Sequence, residues 1–290
     1  MREKIGVIGG SGAYQLLKER LGILKEKKII HTPFGKGVLL HLYDFKGVNF
    51  IFLSRHGEKG YSLSAPFVNY RANIWALKEV GVERIISWSG PGIINRSFKI
   101  GEYLLPHDLI DETKGRESTF FKDTGLGFIR QKEPFCPEIR YGLKKTLKKL
   151  NLQFQESGVY VCTQGPRLET PSEIKKFKII GGDVVGMTLV PEAFLARELE
   201  ICYASLCYLT NFAEGVRKRS FKRGSLFEGM QTEGERKKVE KLIDRFPRII
   251  HETCKILSEK KRNCSCKDAM ERYKRDGIIG RDWTQWIKAH

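Results

Sequence analysis

Lys4-Ile5-Gly6-Val7-Ile8-Gly9-Gly10-Ser11-Gly12 is a short apolar run that breaks into a glycine-rich turn, the pattern of a buried strand feeding a loop. Glycines there let the backbone approach an anion, and the Ser11 hydroxyl and exposed amides can donate to phosphate oxygens. The turn matches neither GxGxxG nor a Walker A loop, so alone it is as readily a plain strand-to-helix connection.

The same form recurs along the chain. Leu53-Ser54-Arg55-His56-Gly57 ends an apolar run at 48–53, Ser87-Trp88-Ser89-Gly90-Pro91-Gly92 ends one at 84–88, and Gly186-Met187-Thr188 ends one at 184–187. Further β-branched and aromatic runs lie at 37–43, 158–162 and 203–209, and segments 69–80, 137–150 and 192–199 carry apolar residues at three- and four-residue steps. The alternation predicts an α/β fold: a single domain with a mixed central β-sheet flanked by helices. From about Thr232 the pattern turns helical, with helices at 237–246 and 248–260. Residues 1–215 are expected to form the core, and 216–290 a basic, mainly helical C-terminal extension of the same domain. Ligands in such folds bind where strands end. Four strand ends carrying hydroxyls, amides, one arginine and one histidine can converge on one pocket, and that inventory suits a phosphate dianion.

Composition bounds the partners. The 290 residues are 41% hydrophobic and 30% charged, and the apolar runs are far too short to span a bilayer. No apolar leader precedes the first strand, so a cytoplasmic location is expected. The formal net charge of +18 raises nucleic acid as a partner, but the excess is concentrated after position 216 and no nucleic-acid motif accompanies it. A solvated basic face is the preferred reading. The seven cysteines include no CxxC pair and no zinc-type His/Cys spacing, so no metal is expected. Five should pack as small apolar residues. Cys264-Ser265-Cys266 sits in a polar segment and is read either as two surface thiols or as a redox-active or disulfide-bonded pair.

In several segments the sequence resembles the methylthioadenosine phosphorylase and purine nucleoside phosphorylase family, over residues 5 to about 214. The markers are Ile8-Gly9-Gly10-Ser11-Gly12, Thr32-Pro33-Phe34-Gly35, Arg55-His56-Gly57, Val68-Asn69-Tyr70-Arg71-Ala72-Asn73-Ile74-Trp75-Ala76-Leu77, Gly165-Pro166-Arg167-Leu168-Glu169-Thr170 and Met187-Thr188-Leu189-Val190-Pro191-Glu192. The resemblance implies one nucleoside and one phosphate per subunit, in homotrimers or hexamers built from trimers, with no metal or organic cofactor. It places phosphate on Ser11, Arg55, His56, Ser89, the Gly90 amide and Thr188, and puts Met187 beneath the ribose.

The base pocket departs from the methylthioadenosine branch. That branch typically has Asp where this chain has Asn211, a second Asp where it has Ala213, and Ser where it has Glu169. Hypoxanthine and guanine present an N1 hydrogen and an O6 acceptor, which an amide and a carboxylate complement. Asn211, Phe212, Ala213 and Glu169 are therefore expected to hold the base, with Asn211, Glu169 and His56 as the catalytic set. Two departures stand apart from this pattern: Glu58-Lys59-Gly60-Tyr61-Ser62 lacks a histidine that relatives often carry, and Ser87 to Gly92 differs from the commoner Thr-Thr-Ala-Cys-Gly form. The 5′ pocket is expected around Leu226, Phe227 and Met230. The leading expectation is phosphorolysis of 6-oxopurine nucleosides such as inosine and guanosine to free base and ribose 1-phosphate in purine salvage. The alternatives are an S-methyl-5′-thioadenosine or S-methyl-5′-thioinosine phosphorylase and, from another class, a basic nucleic-acid-binding protein with an inactive core.

Overall fold

A computed structural model describes residues 4–10, 20–58, 62–122, 124–218 and 232–287. The opening apolar run is β1 (Lys4–Gly9), buried from Ile5 onward. It lies between β4 (Val48–Ser54) and β5 (Val82–Ser89), parallel to both, with Gly6 opposite Ile51 on one side and Ile85 on the other. β12 (Cys202–Tyr208) extends the parallel set past β5 and is buried along its whole length. Strands covered on both faces read as continuous apolar runs, which is why these four were legible in the sequence. The antiparallel hairpin of β2 (Ile23–Thr32) and β3 (Gly35–Phe45) joins β4. Short β7 (Tyr103–Leu104) and β9 (Phe154–Gln155) complete an eight-stranded sheet in the order β2-β3-β4-β1-β5-β12-β7-β9.

β5 and β12 run on together into a second sheet. Beyond Gly90-Pro91 the chain enters β6 (Gly92–Ile93), and beyond Leu209-Thr210 it enters β13 (Asn211–Phe212), which pairs with β6 in parallel, Asn211 opposite Gly92. With β8 (Asp108–Glu112), β10 (Val159–Thr163) and β11 (Val184–Gly186) they form a five-stranded sheet in the order β13-β6-β11-β10-β8. Pro91 lacks the N–H that an unbroken ladder would use, and a Cβ at Gly90 would stand 2.9 Å from the Tyr208 ring. The expected mixed sheet is thus present but divided in two, and the candidate site lies at the seam.

Helices cover the sheets. α1 (Tyr70–Glu79) begins at Asn69, whose side chain accepts from the Ala72 amide. α2 (Pro137–Lys149) and α4 (Leu189–Glu198) fall where the apolar periodicity placed them, although α4 is broken at Val190. α3 (Pro171–Ile179) was not expected, yet Thr170 and Glu173 form a capping box with Pro171 in the first turn. α5 (Glu233–Asp244) and α6 (Phe246–Ser258) bear out the helical tail. They pack directly on the core. The Phe246 ring stacks on Trp88 of β5 with centroids 4.5 Å apart, Tyr103 donates to the Leu242 carbonyl at 2.7 Å, and Thr253 donates to Thr146 of α2 at 3.0 Å.

One expectation is corrected. Cys264 and Cys266 are neither surface thiols nor joined by a disulfide: both are buried, and all seven cysteines are free. After α6 the chain folds back over the start of α2 and the start of β12. Arg262 donates to the Glu200 carbonyl at 2.9 Å, and the Asn263 amide donates to Glu138 at 2.7 Å. These polar flanks are satisfied at the rim while the two thiols point inward, so a polar local sequence concealed a buried position. Among the described residues no helix is long and apolar enough to cross a membrane.

Candidate active site

The ends of β4, β5 and β11 converge as the sequence implied. A cavity of about 510 Å³ is lined by Arg55, His56, Ser89, Gly90, Glu169, Met187, Thr188, Asn211 and Ala213, nine of the eleven residues expected in the site. Ser11 lies outside the described residues, as do Leu226, Phe227 and Met230. Phe212 is not in the cavity wall; its ring is buried beneath the Arg217 guanidinium, 3.8 Å from the centroid. A larger groove of about 640 Å³ runs along β2, β3 and β4 between Lys25, Leu42 and Phe50. It gathers none of the strand-end hydroxyls.

The end of β1 stands beside this cavity. A Cβ at Gly10 would lie 2.5 Å from the Trp88 carbonyl oxygen and 2.8 Å from Arg55 Nη1, so only glycine fits where the first turn meets the arginine. Arg55 is fully buried and committed to protein partners. Its Nε and Nη2 form a bidentate pair with Glu192 of α4, Nη2 also donates to Ser87 Oγ at 2.8 Å, and Nη1 donates to the Trp88 carbonyl at 3.1 Å. Tyr203 completes the carboxylate's shell, donating to Glu192 Oε2 at 2.7 Å. Burial alone would weaken the Arg55 charge, but the Glu192 carboxylate more than offsets this and holds the guanidinium firmly protonated. These bonds use four of its roughly five N–H groups, so Arg55 anchors the strand end to α4 and turns only a small part of its donor capacity outward.

His56 is neutral near pH 7. Burial, then the adjacent Arg55 charge, lower it from 6.5 to about 4. Its Nδ1 lies 2.8 Å from the Leu63 carbonyl, so the neutral ring carries its proton on Nδ1. Three hydroxyls meet opposite. Ser89 Oγ is 3.0 Å from the Tyr160 hydroxyl and 3.3 Å from Thr188 Oγ1, all three buried. Gly186 makes this contact possible, because a Cβ there would fall 2.0 Å from the Tyr160 oxygen.

In the same cavity wall, Asn211 is pinned by its neighbours. Thr210 donates to Asn211 Oδ1 at 2.7 Å and Asn211 Nδ2 donates to the Phe212 carbonyl at 3.0 Å. This fixes which end of the amide is the donor. Glu169 accepts from Thr163 at 2.5 Å, and burial raises its carboxyl above the usual range. A fixed amide and a half-buried carboxylate thus share a cavity with a cluster of hydroxyls, a neutral imidazole and a buried cation.

Sequence reasoning missed three supporting residues. Glu192 stood in a quoted marker without a role. Tyr160 carries no motif. Arg116 lies in a polar loop, yet it donates to the carbonyls of Met187 at 2.7 Å, Val190 at 2.5 Å, Thr163 at 3.1 Å and Gln164 at 2.7 Å. It ties together the two loops that carry Glu169 and Met187, and a lone arginine between short polar residues gives no pattern that would reveal this.

A mixed α/β fold whose strand ends bring glycines and a few hydroxyls to one largely apolar cavity suits an enzyme that handles phosphate and a nucleoside. The chain belongs to the phosphorylase superfamily, whose model matches residues 4–246. It is 40% identical over 275 residues to the 6-oxopurine nucleoside phosphorylase of Pyrococcus furiosus, covering 92% of this chain and 98% of that one. It is equally 40% identical, over 269 residues, to the probable S-methyl-5′-thioinosine phosphorylase of Methanopyrus kandleri, covering 92% and 98%. Among solved structures it resembles a methylthioadenosine phosphorylase from an Antarctic soil metagenomic library, with TM-score 0.78 and 31% identity over 92% of this chain and 91% of that one. The unliganded methylthioadenosine phosphorylase of Schistosoma mansoni superposes with TM-score 0.78 and 26% identity over 97% and 99%.

Proposed function

We propose that the chain is a purine nucleoside phosphorylase that cleaves 6-oxopurine nucleosides with inorganic phosphate, giving the free base and a pentose 1-phosphate. The single observation that carries the base assignment is the fixed Asn211 amide facing the same cavity as Glu169. Glu169 accepts from the purine N1–H, and the Asn211 amide donates to O6 or N7. Adenine offers the opposite pattern on its Watson–Crick edge. Curated relatives of two names, 6-oxopurine and S-methyl-5′-thioinosine phosphorylase, share a hypoxanthine-type base and differ at the 5′ substituent, which supports the same reading.

Phosphate lies against Ser89, Thr188 and the Gly90 amide; Ser11, which the resemblance adds, lies outside the described residues. Arg55 supplies a fixed positive charge and one outward N–H. His56 stands in the same cavity wall, where a phosphate dianion would favour protonation of its imidazole. A phosphate oxygen forms its bond to C1′ as the C1′–N9 bond breaks, through an oxocarbenium-like transition state akin to that of glycoside hydrolysis. The bonding electrons leave with the purine, whose N7 takes up the proton that the attacking phosphate's O–H gives up. Asn211 stabilises the charge that develops at N7 and O6, and the phosphate dianion stabilises the cationic sugar. The chemistry uses phosphate as co-substrate and no organic cofactor, and Met187 supports the ribose.

The active form is a homotrimer or a dimer of trimers. Exposed Leu63 and Phe67 flank the Ser64–Ala65 wall of the cavity, an apolar rim suited to a neighbouring subunit. Light scattering coupled to gel filtration tests this, with a monomer as the contrary result. The function itself is tested by incubating the enzyme with inosine, guanosine, S-methyl-5′-thioinosine, adenosine and S-methyl-5′-thioadenosine, with and without phosphate. Base release from the 6-oxopurine nucleosides that requires phosphate is the expected result. Comparing inosine with S-methyl-5′-thioinosine assigns the 5′ group.

A further inference from the structure

Away from the cavity, four cysteines from three parts of the chain meet in the interior. Cys136 precedes the first turn of α2, Cys202 opens β12, and Cys264 and Cys266 belong to the turn at 264–268 that follows α6. All four are buried, and their sulfur atoms lie within 4.8 Å of one another. Cys264 Sγ is 3.6 Å from Cys136 Sγ and 3.3 Å from Cys202 Sγ.

The spacing discriminates between chemistries. A disulfide requires sulfurs about 2.0 Å apart. Four thiolates around one tetrahedral zinc, each about 2.3 Å from the metal, stand about 3.8 Å from each other. The observed separations of 3.3 and 3.6 Å lie near the second geometry and far from the first. The four thiols together supply a complete set of ligands of one soft type.

We propose that Cys136, Cys202, Cys264 and Cys266 form a tetrathiolate site for a thiophilic divalent metal, zinc above all. Each thiol gives up its proton as the metal binds, so loading releases protons and adds no redox step. The surroundings are arranged to hold the four ligands in place. The Cys136 amide donates to the Tyr203 carbonyl at 2.7 Å, locking α2 to β12 beside Cys202. Glu200 receives the Met270 amide at 3.0 Å and Lys274 Nζ at 2.5 Å, fixing the chain just after Cys266. The metal would cross-link the end of the C-terminal region to the central sheet, a stabilising role separate from the cavity.

The test is metal analysis of the full-length protein purified under reducing conditions and dialysed, combined with thiol titration in denaturant. One zinc, or one iron, per chain with all seven thiols titratable is the expected result. Cobalt should replace it and give the charge-transfer and d–d bands of a tetrahedral thiolate complex. Cys264→Ser and Cys266→Ser should each lower the metal content far below one per chain and shorten the thermal-inactivation half-time by roughly tenfold or more. Should those variants fail to fold, the wild-type stoichiometry and cobalt spectrum decide the matter alone. Metal-free protein overturns the proposal, whether its seven thiols are free or four of them are consumed in two disulfides. So does bound metal that both serine variants retain.

Discussion

On the proposed function, a single atom of Asn211 decides the base. Its Nδ2 donates to the Phe212 carbonyl, so Asn211→Asp would set a carboxylate oxygen against that carbonyl and against purine O6. The variant is expected to lose 6-oxopurine activity by roughly 10- to 200-fold in kcat/KM, the equivalent of about 1 to 3 kcal/mol for one mispaired buried group. Its relative preference should move toward adenosine. Ratios of kcat/KM for inosine and adenosine check this, and an unchanged ratio would remove Asn211 from the base pocket. His56 offers a second residue-level test through pH. Its folded pKa of about 4 lies below the ordinary 6.5, so folding favours the neutral ring. That contribution is complete above pH 6.5 and is lost as pH falls toward 4. The stability advantage of wild type over His56→Gln, measured by urea unfolding, should therefore shrink between pH 7 and pH 4.5. A difference that stays constant would mean that the ring is not held neutral. The types of these residues were legible in the sequence, but the hydrogen bonds that hold them were not, because the Leu63 and Phe212 carbonyls and the Thr210 hydroxyl are brought to them by the fold.

Between elements, the Arg55–Glu192 pair joins the end of β4 to the first turn of α4, where a carboxylate also suits the helix dipole. Both side chains are fully buried. Glu192→Ala leaves the guanidinium uncompensated and should cost about 3–5 kcal/mol of stability. An unfolding midpoint within error of wild type would contradict the pairing. Arg55→Lys keeps a charge but loses the bidentate fork, so it should lower stability less and phosphate affinity more than nucleoside affinity. Elements differed in how well the sequence revealed them. The central strands were plain because both faces are buried. β2 was missed because it is an exposed edge strand, Ile23-Leu24-Lys25-Glu26-Lys27-Lys28, whose side chains face water almost throughout and whose lysines guard the edge. α3 was missed because it is short and its apolar positions are few, although Thr170 and Glu173 carried the capping signal. The break between the two sheets at Gly90-Pro91 read only as a turn, since sequence periodicity does not report which sheet a strand joins.

Across the whole molecule, one seam produces the site. β5 and β12 leave the large sheet side by side and re-pair as β6 and β13, which delivers Ser89, Gly90, Asn211 and Ala213 to the cavity wall. The site-bearing segments were readable as strand ends, whereas their convergence depends on contacts such as Arg116 that span loops distant in sequence. The C-terminal helices, which looked like a basic appendage, supply Phe246 to the core beneath Trp88. Truncation before α5 should therefore abolish folding rather than merely remove charge. The measurement that bears most directly on the central claim is the phosphate dependence of base release from inosine beside adenosine. Hypoxanthine and a pentose 1-phosphate formed in equal amounts only when phosphate is present, with inosine favoured over adenosine in kcat/KM, is the expected result; release without phosphate, or a preference for adenosine, would contradict it.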